Sequence, residues 1–118
     1  MLHLHQLPDP TGATDPRLAR MCALAARCLT RRPELRVRTE RALILAAAGD
    51  VHPHPTEPRV FLVSSRRPGF CHRVSTDVCT CTCPDFAAQV RRPGPHKPAC
   101  KHLIAAFLVD LAARPHAA

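Results

Sequence analysis

An α+β fold is predicted from the order of three patterns along the chain. Apolar residues recur at helical spacing near both ends, at residues 18–29 and again beyond residue 101. Two short apolar runs flank Arg66-Arg-Pro-Gly69 in the middle. Cysteines then alternate with threonines just ahead of the last apolar segment. The expected architecture is two amino-terminal helices, a small antiparallel hairpin or sheet, and a carboxy-terminal helix.

Residues 1–13 are polar, proline-bearing and aperiodic, and read as a flexible arm. At Asp15-Pro16 the pattern changes to a helix start, with a capping aspartate before a proline at the first helical position. Leu18, Met21, Cys22, Ala25, Cys28 and Leu29 then form one apolar stripe, while Arg17, Arg20, Arg27 and Arg31 fall on the opposite face. This helix should stop before Pro33. A second helix is predicted from about Glu34 to Ala48, charged in its first half, with Gly49 as a left-handed cap. The stretch Asp50 to Pro58 is too rich in proline for a central strand. Val60–Ser64 reads as a buried strand, Arg66–Gly69 as a turn, and Phe70–Ser75 as the returning strand. A turn from Asp77 leads into the alternating cysteines, and residues 87–99, with three prolines and a glycine, read as a loop. The last helix should run from Lys101 to about Ala113, apolar on most sides. The chain divides on this reading into the arm, a helical part at residues 14–58, and a carboxy-terminal unit at 59–114.

Length and composition narrow the possibilities. The 118 residues suit one domain, and 46% hydrophobic residues exclude a wholly disordered chain. No apolar run reaches the roughly 20 residues that span a bilayer. Met1-Leu-His-Leu-His-Gln-Leu-Pro lacks the basic start and apolar stretch of a signal peptide, so a soluble, cytoplasmic protein is expected. The formal net charge is +8, and fifteen of the seventeen basic residues are arginine. There are four Phe and no Tyr or Trp, which leaves few platforms for stacking on bases.

Seven cysteines, an odd number, in a chain of this kind point to metal rather than to disulfides. Cys22 and Cys28 lie on the first helix's apolar stripe and read as small core residues. The chemistry concentrates later, as Cys81-Thr-Cys83, sixteen intervening residues, then Cys100-Lys-His102. Side chains two apart on an extended segment leave the same side, so Cys81 and Cys83 can share an ion where the chain bends at Pro84. Residues two apart within a helix diverge, so Cys100 should precede the last helix and His102 should sit in its first turn. Spacing alone leaves a second choice open, because Cys79 and Cys81 make an overlapping pair. Cys71 and His96 are further candidates, while His3, His5, His52 and His54 read as solvated. A thiol redox enzyme built on Cys79, Cys81 and Cys83 is a competing reading. No nucleophile–base pair or phosphate-binding loop is visible, and no catalytic residue is assigned.

Cys81-Thr-Cys83-Pro-Asp-Phe86 and Cys100-Lys-His102-Leu-Ile-Ala105 resemble the two halves of the SWIM-type zinc finger, C-x-C followed by C-x-H. The resemblance covers roughly residues 60–112, with a weaker echo in Arg38–Val51. It implies a ββα finger with Cys81, Cys83, Cys100 and His102 as ligands of one structural zinc ion. It also implies that Phe86 packs in the core and that the finger is non-catalytic. Members of the family are associated with DNA binding and with protein–protein contacts. For this chain the resemblance implies single- or double-stranded DNA as partner, in repair, recombination or gene regulation. The alternative is a protein-interaction adaptor in which the last or the first helix docks a partner. Arg66, Arg67, Arg91, Arg92, Lys97 and Lys101 lie in or beside the finger and are the candidate phosphate contacts. No membrane partner or small-molecule substrate is expected.

Overall fold

A computed structural model describes residues 15–114. The order is α1 (Pro16–Arg31), a single 3-10 turn (Pro33–Leu35), α2 (Arg36–Ala47), β1 (Val51–Pro53), β2 (Val60–Ser64), β3 (Cys71–Ser75), β4 (Thr80–Cys81), α3 (Pro84–Arg91) and α4 (Lys101–Ala112). The class is α+β, as the sequence predicts. The predicted arm, with His3 and His5, lies outside the described residues.

Asp15 caps α1 by accepting a 2.9 Å hydrogen bond from the Arg17 backbone N–H. Its stripe is buried at Met21 and Ala25, and Leu18, Cys22 and Cys28 pack half-buried against the same core. Arg20 departs from the solvated arginine face expected for it. Its Nε donates to the Ala112 carbonyl at 2.9 Å, tying α1 to the carboxy-terminal end of α4. A cation there also meets the negative end of that helix's dipole. Gly49 ends the second helical segment at φ +77°, in the left-handed region. Nothing lies within 4 Å of where a Cβ would stand at Gly49 or at Gly94, but only Gly49 has the unusual φ. We expect Gly49→Ala to lower stability by about 1 kcal/mol and Gly94→Ala to change it little, as measured by urea denaturation.

The sheet is antiparallel with strand order β1-β2-β3-β4. Val51 pairs with Val63, Val60 with Ser75, and Val74 with Cys81. The proline-rich stretch does supply a strand, β1, but a three-residue one at the sheet edge, where Pro53 deprives no central ladder of a donor. Phe61 and Val63 of β2 and Val74 of β3 point inward and are buried. α4 lies at the centre of the molecule, touching α1, α2 and all four strands. Leu103, Ile104, Ala105, Ala106, Leu108, Val109 and Ala112 are all buried. The apolar surface that makes α4 look like a docking helix is therefore the core itself. Among the described residues, no helix is long and apolar enough to cross a membrane.

The clearest difference from the sequence reading is α3. Residues 84–91 form two turns of helix where residues from 87 onward read as loop. The reason is local. Pro84 occupies the first helical position, where its missing N–H costs nothing, and Asp85 follows in the first turn beside the positive end of the dipole.

Candidate metal centre

The four candidate ligands are delivered by a strand end, two helix caps and a first helical turn. Cys81 ends β4, where pairing with Val74 fixes its side chain on the inner face. The Thr82 N–H donates to the Arg73 carbonyl at 3.2 Å, and the Arg73 N–H donates to Thr82 Oγ1 at 3.0 Å, prolonging the hold of β3 on this segment. Cys83 is the cap of α3, its Sγ accepting from the Phe86 N–H at 3.3 Å. Cys100 is the cap of α4, its Sγ accepting from the Leu103 N–H at 3.4 Å. His102 follows in the first turn of α4 and is buried. Two sulfurs thus sit at the amino-terminal ends of two helices, where orphan N–H groups and the helix dipole favour thiolate.

The loop between those helices spans residues 92–99 and is closed by side chains. Gln89 Nε2 donates to the Ala99 carbonyl at 2.9 Å, and the Ala99 N–H donates to Gln89 Oε1 at 3.0 Å. This paired amide contact brings Cys100 back beside Cys83. Arg32 Nη1 holds the loop from outside through the Lys97 carbonyl at 3.1 Å. Arg38 of α2 makes a two-pronged ion pair with Asp85 at 2.9 and 2.8 Å, anchoring α3. That contact holds the Asp85 carboxyl below its ordinary pKa.

One ligand atom from each of Cys81, Cys83, Cys100 and His102 lies within 4.8 Å of the others. A tetrahedral zinc ion with bonds of about 2.3 Å to sulfur sets its sulfurs about 3.8 Å apart, so the cluster needs little adjustment to close on an ion. Among the described residues, His102 Nδ1 is the single buried side-chain nitrogen or oxygen without a hydrogen-bond partner, a deficit a metal bond would remove. Hydrogen bonds from Cys100 and Cys81 stabilise the Cys83 thiolate and hold its pKa far below the ordinary value. Cys81, in contact with Cys100 and Cys83 and buried, is pushed far above. Cys100 is raised to about 11, where contact with Cys81 works downward and the Cys83 contact and burial outweigh it. Three adjacent sulfurs cannot all carry charge in a buried site unless a cation replaces the protons.

Cys79 lies outside this cluster. It would share a strand face with Cys81 if the chain were extended, but its φ of +57° places it in the turn before β4. Its side chain is exposed and its Sγ faces the Thr76 carbonyl at 3.9 Å. Cys71 is exposed at the start of β3, and His96 faces Glu34 Oε2 at 3.8 Å. Cys28 Sγ lies 3.8 Å from Thr39 Oγ1, a contact between α1 and α2 rather than a second site.

The cluster forms part of the lining of a groove of about 940 Å³ between α2, the β2–β3 turn and the start of α4. Of the candidate phosphate contacts, Arg66 and Lys101 line it. Arg67 instead lies over the Phe70 ring, 5.1 Å from its centroid. Arg91, Arg92 and Lys97 are exposed elsewhere, at the end of α3 and in the loop after it. Arg38 and Arg41 also line the groove. Sequence reasoning missed them, although their three-residue spacing on α2 places them on one helix face.

Three sulfurs and an imidazole converging from a strand end and two helix starts define a protein of the zinc-finger class. Residues 68–110 match the family described as SWIM zinc finger, and this segment of the chain is a SWIM zinc finger. No curated protein and no solved structure matches the chain.

Proposed function

We propose that this is a small, non-catalytic nucleic-acid-binding protein of a reducing compartment such as the cytoplasm. Its finger, built around one structural zinc ion, presents a cationic groove to the sugar–phosphate backbone of DNA. The observation that carries the reading is the groove itself. Arg41, Arg66 and Lys101 line it without any ion pair among the described residues, and Arg38 stands beside them. A formal charge of +8 adds a long-range attraction for polyanions, lowered by only one when zinc replaces three thiol protons. The scarcity of aromatic residues favours backbone contact over extensive base reading. Repair, recombination and gene regulation are the settings in which such a module would serve. The adaptor reading receives less support, because α4 offers its apolar residues to the core and not to a partner.

Salt dependence tests the proposal. Three phosphate contacts predict an affinity for DNA that falls about 20- to 40-fold between about 50 and 200 mM salt. A mobility-shift or anisotropy series on the zinc-loaded chain measures this. Absence of binding at low salt, or binding indifferent to salt, would overturn the proposal in favour of a protein partner.

A further inference from the structure

The groove is lined by two kinds of surface. Among the described residues, Arg41 on α2, Arg66 at the β2–β3 turn and Lys101 at the mouth of α4 supply its unpaired cations, against two lining carboxylates, Asp50 and Asp85, the second already paired with Arg38. Cys83, Cys100 and His102 contribute a different kind of surface. Three thiolates around a bound dication would leave one net negative charge there, unfavourable to phosphate. Beside it His72, half-buried, lies against His102 with ring centroids 4.3 Å apart. Val37, Ile44 and Leu45 of α2 add apolar lining. Phosphate is drawn to the three unpaired cations, which outnumber the one lining carboxylate without an arginine partner, while the imidazole and apolar surface suits a flat, uncharged ring.

We propose that the groove binds single-stranded DNA in preference to duplex, with phosphates on Arg41, Arg66 and Lys101 and an unpaired base against His72. This deepens the proposed function and rests on it. A duplex presents phosphates outward and keeps its bases paired and stacked, so it can meet the cations but cannot offer a base to His72. A single strand divides its chemistry as the groove does, and imidazole is among the rings on which unpaired bases stack. About 940 Å³ lies within the range of about 300–1,000 Å³ typical of ligand pockets and admits only a short piece of strand.

The test uses the full-length, zinc-loaded chain and a fluorescent oligothymidylate of about 12 nucleotides, alone or annealed to its complement. Anisotropy at low salt should show the single strand bound at least about tenfold more tightly than the duplex. Arg41→Glu combined with Arg66→Glu should weaken single-strand binding by about tenfold or more. The pair Arg91→Glu and Arg92→Glu, away from the groove, should weaken it less than about threefold. His72→Ala should lose about fivefold or more, and His72→Phe should restore most of that loss. Zinc content measured on every variant separates a lost contact from a lost fold, and the arginine pairs decide the matter if His72→Ala releases metal. Duplex binding as tight as single-strand binding would overturn this inference and leave backbone binding standing, as would equal losses from the two arginine pairs. No binding of either probe would overturn both.

Discussion

Stripping the metal with a chelator at neutral pH is expected to unfold the protein, not merely to loosen its finger. Structural zinc contributes about 10–16 kcal/mol of binding free energy in finger peptides, against a net stability of about 5–15 kcal/mol for a whole domain. This chain has little to put in its place. β1 has three residues, β4 has two, and α3 has only two turns. The four ligands of the cluster come from β4 and the starts of α3 and α4, so an ion held there would join these elements, and α4 in turn touches α1, α2 and every strand. Loss at the centre therefore reaches the amino-terminal helices as well. Cys81→Ser and His102→Ala should each abolish stoichiometric zinc in elemental analysis and remove the cooperative melt in far-UV circular dichroism. Cys79→Ser and Cys22→Ala should keep both, because neither side chain belongs to the cluster. A chelated, metal-free chain that melts as the untreated one does would contradict this account. Zinc retained in a Cys81→Ser/His102→Ala double variant would contradict it equally.

The parts of this fold legible in the sequence are those whose signals are local and repeated. α1 carries both a capped start and more than three turns of periodic apolar positions, and its observed range begins and ends where those signals place it. α4 is legible from apolar density alone. The β2–β3 hairpin is legible because Pro68-Gly69 stands between two apolar runs, and Gly69 adopts φ +76° there. What was hidden depended on single residues with two meanings or on contacts distant in sequence. Pro84 ends an extended segment and also begins a helix, and eight residues are too few for periodicity to decide between them. Cys79 and Cys81 look like one strand face until a single left-handed residue breaks the alternation. The site was readable as a set of residue types and spacings, but its support was not. The Gln89–Ala99 clasp, the Arg38–Asp85 ion pair and the placing of Arg41 and Arg66 in one groove all arise from tertiary packing, for which a one-dimensional pattern carries no period.

Phe86 shows how packing and metal affinity act as one quantity. Its backbone N–H caps onto Cys83 Sγ while its ring is buried with 8% exposure, so one residue serves both the ligand and the core. Phe86→Ala leaves the N–H in place and removes only the ring, at a cost of about 3–5 kcal/mol for a large-to-small change in a core. If the metal-free chain is unfolded, folding and binding are a single equilibrium, and the whole cost falls on zinc affinity. The expected loss is then about 100- to several-thousand-fold in zinc dissociation constant, measured by competition with a chromophoric chelator. Phe86→Leu keeps most of the buried area and should lose only about 1 kcal/mol, or less than about tenfold. The protein would then be one in which a core ring that touches no metal tunes metal affinity through the fold. Zinc affinity unchanged in Phe86→Ala would mean instead that the four ligands close on the ion without the rest of the fold, and that α3 contributes nothing to the finger beyond the position of Cys83.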